Sequence, residues 1–200
     1  MSLVELMVAA VLLLVVGTIV ATGVVSAHEV TRHTESRITA LTAIHQAVAG
    51  VSREIRAGDS RDITGAALGA ASPSSLETDV FRGDPVQRMR LTFTVTDGVL
   101  TERRRVWAAG ADPADAPVSD VTRTLLTEIV TDGTQPLFAY YAADGSCITG
   151  CTDGSGTFIS TAVLEAALDQ VAEVHLTVRH ALEGGRSPIE VATRVTLRNA

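Results

Sequence analysis

The chain has 200 residues, with 16 basic and 23 acidic side chains and a formal net charge of -7 at pH 7. All of the basic residues are arginines. A general nucleic-acid binder gains affinity by neutralising phosphates, so the acidic balance argues against that class of protein. The length suits one globular domain together with an N-terminal segment of separate character.

The N-terminal segment is predicted to form an apolar helix. Residues 6–25 carry no charged side chain, and about 20 apolar residues are what a helix needs to cross a bilayer. Gly17 and Gly23 each lower helix propensity by roughly 1 kcal/mol relative to alanine, so the middle of the segment is its weakest part. The only charged residue before residue 28 is Glu5, whereas an ordinary secretory signal begins with lysine or arginine.

Beyond residue 27 the helix is predicted to continue in amphipathic form. Apolar residues recur there mostly at spacings of three and four, at Val30, Ile38, Leu41, Ile44, Val48, Val51 and Ile55. The helix should end near Gly58, where a glycine can adopt the left-handed cap. The pattern fits a helix whose first half enters lipid or a protein bundle and whose second half lies on a sheet. It fits equally a single-pass membrane anchor with a helical stalk.

The remainder of the chain is predicted to be an antiparallel sheet with one buried face. Apolar and polar residues alternate over residues 88–95, 174–179 and 189–198, and Asp97-Gly98 is typical of a tight hairpin turn. We interpret residues 59–76 as a long connection, residues 137–141 as a short aromatic strand and residues 161–170 as a short helix. The predicted fold class is α+β, with a long helix over residues 1–58, hydrophobic over 1–27 and amphipathic over 28–58, packed on the sheet of a globular domain over residues 59–200.

The N-terminal sequence MSLVELMVAAVLLLVV resembles the mature N-termini of type IV pilins and of the pseudopilins of type II secretion. The resemblance implies the pilin fold and a numbering that begins where a prepilin peptidase has removed a short basic leader, with Met1 carrying an N-methylated amine. It also implies a role for Glu5, because an unpaired carboxylate in hydrocarbon is costly and demands a partner. In this family that partner is the N-terminal amine of an adjacent subunit, so Glu5 would set the register of assembly. As a plain helix-capping acid, Glu5 would stabilise the helix by less than about 1 kcal/mol.

The rest of the chain shows a looser resemblance to the larger minor pilins and to the J-type pseudopilin. The segments concerned are VSREIRAG, VTRTLLTEIVTDGTQPLFAYYAADG and VHLTVRHALEGGRSPIEVATRVTLRNA. One departure from the family concerns position 22, where many major pilins have proline and this chain has Thr22. If the filament needs an unwound stretch of helix, Gly17 and Gly23 would have to supply it.

The two cysteines, Cys147 and Cys151, are separated by three residues in a glycine-rich stretch. In an exported domain this spacing predicts a small disulfide loop, and in a cytosolic protein it would favour reduced thiols or half a metal site. Because the pilin resemblance implies export, we expect the disulfide, which would stabilise the domain by roughly 2 kcal/mol. A calcium site at Asp144 and Asp153 is not favoured, since their spacing does not match an EF-hand loop.

No motif indicates catalysis, a cofactor or a bound metal. The sequence has no nucleophile elbow, no phosphate-binding glycine loop and no HExxH motif. His28, His33 and His45 lie on the predicted helix without the spacing of a ligand pair, and His175 and His180 fall on opposite faces of one strand. We therefore expect no enzyme activity.

Arg103, Arg104 and Arg105 form the only dense basic run. Some pilins bind DNA, and arginine contacts to the DNA backbone would be the means. The neighbouring acidic residues favour a solvated sheet surface instead, so nucleic acid is not an expected partner.

The expected function is that of a structural subunit of a type IV pilus or pilus-like filament. The resemblance implies insertion in the cytoplasmic membrane, then polymerisation into an extracellular filament on the cell surface. The implied partners are other pilin subunits, an inner-membrane assembly platform and the prepilin peptidase. The alternative is a membrane-tethered extracellular binding domain that does not polymerise.

Overall fold

A computed structural model describes residues 3–58, 68–82, 87–131, 136–152, 155–163, 165–182 and 186–197. Residues Met1–Thr42 and Ala43–Ala200 form two compact units. The described residues of the first unit are all helical, and the second unit contains the end of that helix and all of the strands described below.

One helix, α1, runs over Leu3–Gly58 and so enters both units. In the first unit its described side chains are almost all exposed, including the apolar residues Val30 and Ile38 of the predicted amphipathic stretch. In the second unit one face of the helix is buried, through Ile44, Ala47, Val48, Val51 and Ile55. These residues recur at the spacing of a helix face, which is why this part of α1 packs on the sheet.

The end of α1 lies against the sheet at very short range. A Cβ atom at Gly58 would lie 2.1 Å from the Thr78 hydroxyl oxygen and 3.2 Å from the carbonyl oxygen of Asp79. A residue with a side chain would fit there only if the Thr78 side chain moved. Close by in sequence, the Glu54 carboxylate, 5% exposed, receives a 2.6 Å hydrogen bond from Arg82 of the sheet.

The first sheet has five antiparallel strands in the order β1-β2-β3-β4-β5. The strands are β1 (Leu68–Ser72), β2 (Ser75–Arg82), β3 (Gln87–Thr96), β4 (Val99–Val106) and β5 (Ser119–Leu126). The predicted hairpin between β3 and β4 is present, with Asp97 and Gly98 both at positive φ, as a tight two-residue turn requires.

The second sheet has four antiparallel strands in the order β11-β10-β6-β7. These are β6 (Phe138–Ala142), β7 (Cys147–Thr149), β10 (Val171–Leu182) and β11 (Arg186–Thr196). Two short strands, β8 (Cys151–Thr152) and β9 (Phe158–Ile159), pair with each other, and a 3₁₀ helix covers Glu165–Gln170.

The architecture is the predicted α+β arrangement of a long helix packed on antiparallel strands, but three details were wrong. There are two main sheets rather than one, because alternation reveals strands and not which strands pair. The supposed connection over 59–76 contains β1 and the start of β2. The short helix predicted over 161–170 is confined, within the described residues, to Glu165–Gln170.

Hydrogen bonds from both main-chain and side-chain donors join the two sheets. The Phe138 amide donates to the carbonyl oxygen of Pro73 at 3.1 Å, and the buried Tyr140 hydroxyl donates to that of Ser75 at 3.0 Å. Burial raises the pKa of the Tyr140 hydroxyl well above its ordinary value, so it stays protonated and remains a donor.

Candidate functional site: the apolar helix segment and the surfaces of the globular unit

The first part of α1 exposes apolar side chains on every side. Of its large apolar residues between positions 6 and 25, even Val15, the least exposed, has 48% of its surface accessible. By length and composition, the helix is long and apolar enough to cross a membrane. Exposed apolar surface of this extent marks a region that contacts lipid or other protein.

The polar side chains within this segment satisfy their own hydrogen bonds. The Thr18 hydroxyl donates to the carbonyl oxygen of Leu14 and the Thr22 hydroxyl donates to that of Thr18, both at 2.8 Å. Neither hydroxyl therefore needs water, and both can enter an apolar environment at little cost. The segment is suited to a lipid bilayer and to a helix bundle alike.

Gly17 and Gly23 lie in regular helix, and α1 is continuous through both positions. A Cβ atom at either glycine would meet nothing within 4 Å, so packing within this chain does not require glycine there. Their predicted role in local unwinding remains a prediction.

Met1 and Glu5 are the two residues predicted to act in assembly. Met1 lies outside the described residues. Glu5 belongs to the helical backbone of α1, but its side chain lies outside what the structure describes. The roles assigned to Met1 and Glu5 therefore rest on the sequence.

A disulfide joins Cys147 and Cys151. The loop that it closes lies against the second sheet, since a Cβ atom at Gly150 would lie 2.1 Å from the carbonyl oxygen of Phe138. The Gly150 amide donates to the carbonyl oxygen of Ile159 at 2.8 Å, and Gly150 has a φ of 71°. The disulfide thus holds a glycine turn that bridges β6 and the β8–β9 ribbon.

The basic run of β4 is paired with acidic side chains. Arg103 donates to Asp120, Arg104 to Glu102 and Arg105 to Glu77. The hydrogen bond and charge of Arg103 lower the pKa of Asp120, which keeps that carboxylate ionised. Because these arginines already have partners, the run offers less positive charge to phosphates than the sequence alone suggests.

Two buried carboxylates were not identified as notable from the sequence. Glu54 is 5% exposed and Glu102 is 2% exposed, and each is held by arginine. The sequence signal that could have revealed them is an acidic residue at a position where the hydrophobic pattern predicts an apolar one. Glu102 takes the place of a core residue in the alternation that Leu100 begins.

Among the described residues, no cluster of three or more His, Cys, Asp or Glu side chains could hold a metal ion. The Nε2 atom of His175 donates a hydrogen bond to the Glu173 carboxylate at 2.9 Å. The centre of the His175 ring lies 4.4 Å from that of Tyr141. His180 has a side chain only 12% exposed and lies 3.9 Å from Glu128.

A cavity of about 400 Å³ opens where the turns of the first sheet meet the second sheet. Its lining includes the buried residues Val95 and Leu137, the apolar residues Pro73 and Phe158, and Asp97. The volume suits a small ligand or a short side-chain anchor.

Comparison with protein-family models gives no match, and neither does comparison with curated protein sequences. Among solved structures, the chain is similar to the type IV-like pilin TTHA1219 from Thermus thermophilus. The two share 14% identity with a TM-score of 0.49, over 80% of this chain and 95% of that one.

Proposed function

We propose that the protein is a structural subunit of a type IV pilus or pilus-like filament. One observation carries the proposal: a helix segment that exposes apolar side chains on all sides is attached to a globular unit that buries its own core. Such a segment needs lipid before assembly and a bundle of like helices afterwards.

Glu5 favours a subunit that assembles into a filament over a protein that is only anchored in the membrane. A carboxylate at the edge of an apolar segment costs several kcal/mol in hydrocarbon unless it meets a positive partner. The N-methylated amine of Met1 in a neighbouring subunit is that partner, and pairing is satisfied at one axial offset only. A plain membrane anchor has no use for an acid at this position.

The other parts of the proposal follow from the pilin resemblance. The chain reaches the cytoplasmic membrane with a leader that a prepilin peptidase removes, and an inner-membrane platform extrudes it into a surface filament. It has no catalytic role of its own, and helix packing with the Glu5 pairing does the work. Adhesion, motility, DNA uptake and secretion are all compatible with this role.

A second candidate is a membrane-tethered extracellular domain that binds a ligand and never polymerises. The cavity beside Asp97 is the observation that favours it, since a binding domain needs such a pocket and a filament subunit does not. Substitution of Leu137 by a larger residue should then abolish ligand binding without affecting anchorage.

Fractionation of the native host separates the two candidates. Cells are sheared, and the chain is measured by immunoblot in the sheared high-molecular-weight material and in the membrane. A filament subunit appears in both fractions, whereas a tethered domain appears only in the membrane. An unrelated single-pass protein is the control and should stay in the membrane. Recovery of this chain from the membrane alone would overturn the filament proposal.

A further inference from the structure

The core-facing side of the first sheet is covered over β2 and β3. On β5 this side is buried at Leu126 but exposed from Ser119 to Arg123. Residues paired across antiparallel strands lie on the same face, so one row contains Thr78, Leu91, Arg104 and Val121. Thr78 and Leu91 are 0% exposed, the Arg104 side chain is 38% exposed and Val121 is 56% exposed. Along this row the cover therefore ends at β4.

The uncovered part of the face has an apolar centre and a positive rim. Arg104 and Arg123 flank Val121, and both bind the buried carboxylate of Glu102, so this group carries one net positive charge. Among the described residues of the globular unit, the only large apolar side chains with high exposure are Val121 and Val118. We name Arg104, Val121 and Arg123 the β5 patch.

The helix carries a surface of matching chemistry. Ile38 is 58% exposed, and Glu35, one turn earlier on the same side, is also exposed. Thr31 and Thr42 flank them, and their hydroxyls donate within the helix to the carbonyl oxygens of Ala27 at 2.9 Å and Ile38 at 2.8 Å. We name Thr31, Glu35, Ile38 and Thr42 the helix patch, which combines an apolar centre with one negative charge.

We propose that the helix patch of one copy docks on the β5 patch of a second copy. Ile38 packs against Val121, and the Glu35 carboxylate faces the excess positive charge of Arg104 and Arg123. Burial costs little, because the threonine hydroxyls are already satisfied and the charges are opposite in sign. This contact rests on the filament function proposed above.

Two complementary patches on one chain can link copies into a polymer. They are different surfaces of one chain, so each copy offers one patch to the copy before it and the other to the copy after it. Heterologous contacts of this kind give open helical assemblies when the rotation does not close. Two apolar side chains bury far less than the roughly 1,200 Å² of a stable specific interface, so the contact acts only with packing of the apolar helix segment.

Crosslinking in intact filaments tests the contact. The full chain carrying Ile38→Cys and Val121→Cys is produced in the host, and sheared filaments are treated with a short bis-maleimide. We expect loss of the monomer band and a ladder of dimers and higher multiples in denaturing gels. The control is Ile38→Cys with Thr122→Cys, since Thr122 is exposed on the same strand but on its opposite face. That control should stay monomeric.

The remaining outcomes overturn the contact and identify what failed. The single variants exclude links between two copies of the same position, and a thermal melt of each variant checks that the domain folds as in wild type. Filaments that contain the chain but give no ladder, or an equal ladder in the Thr122 control, overturn the contact alone. Absence of the wild-type chain from sheared filaments overturns the filament function and this contact with it.

Discussion

Asp79 lies between two arginines on the outer face of the first sheet. Its carboxylate accepts hydrogen bonds from Arg90 Nε at 2.9 Å and from Arg88 Nε at 3.0 Å. Burial alone would raise the pKa of Asp79, but the two arginines together outweigh it and hold that pKa below its ordinary value. The ionised form is therefore preferred in the folded state.

Asp79→Asn should lower the free energy of unfolding at neutral pH by about 1–3 kcal/mol, since arginine donors lose a charged acceptor. Because the pKa of Asp79 is lower in the folded state than in the unfolded state, its ionised carboxylate stabilises the fold at any pH above the unfolded-state pKa of about 4. This stabilisation is lost as the pH falls through the folded-state pKa. The difference in unfolding free energy between wild type and variant should therefore shrink as the pH is lowered below about 4.

Denaturant melts of the purified globular unit at several pH values measure this effect. Asp120→Asn is the matched control, because Asp120 also pairs with an arginine, Arg103, but at an exposed site where solvent screens the interaction. A difference for Asp79→Asn that stays constant down to low pH would contradict the assignment.

At the scale of elements, the loop closed by the disulfide depends on one glycine. Gly150 and Gly110 both have positive φ, but a Cβ atom would strike the Phe138 carbonyl oxygen only at Gly150. Gly110→Ala should cost about 1–2 kcal/mol from the left-handed backbone alone. Gly150→Ala should cost distinctly more, because the strand backbone must also move.

Thermal or denaturant unfolding of the two variants separates backbone strain from the clash. Equal destabilisation at Gly150 and Gly110 would show that the loop moves freely away from β6, against the structure described above.

The glycines of the apolar helix segment give a further prediction. Gly17→Ala with Gly23→Ala should stabilise the helix by roughly 1 kcal/mol per site, since alanine is the better helix former and neither site is crowded. If assembly requires local unwinding there, this variant should reach the membrane at the wild-type level and yield fewer sheared filaments. A normal filament yield would show that the helix enters the filament unbroken.

The elements that sequence reasoning located are those with a strong pattern. A direct physical signature marks three of them: the apolar segment, the amphipathic part of the helix from Ile44 to Ile55, and the Asp97-Gly98 hairpin. β5 lacks one, because most of it is exposed on both faces and its residues do not alternate in hydrophobicity. β1 was missed because Gly, Ala and Ser have low strand preference, and its place depends on pairing with β2.

The features of the candidate site also divide into those that a sequence pattern predicts and those that it does not. The apolar helix could be predicted, since exposure on all faces follows from a continuous apolar run. The ion pairs could not, because Arg105 and Glu77 meet across 28 residues of sequence. Strand pairing alone brings them together, as it does Arg104 with Val121 in the β5 patch.

At the scale of the whole molecule, the two units make opposite demands on their surroundings. Within its described residues, the globular unit buries most of its large apolar side chains, and ion pairs lie on its sheet surface. No residue between positions 6 and 25 of the apolar helix segment is buried, so the segment must be covered by lipid or by other copies. A subunit that moves from membrane to filament satisfies both demands in turn.

The most direct test of this account is Glu5→Ala in the native host, with the chain measured in sheared filaments and in the membrane. Glu5→Asp serves as a control that keeps the charge. We predict that Glu5→Ala stays in the membrane at the wild-type level while its filaments vanish or thin, because the carboxylate no longer pairs with the amine of the next subunit. Unchanged filament yield and composition would contradict the registration role of Glu5, and the tethered binding domain would then be the better account.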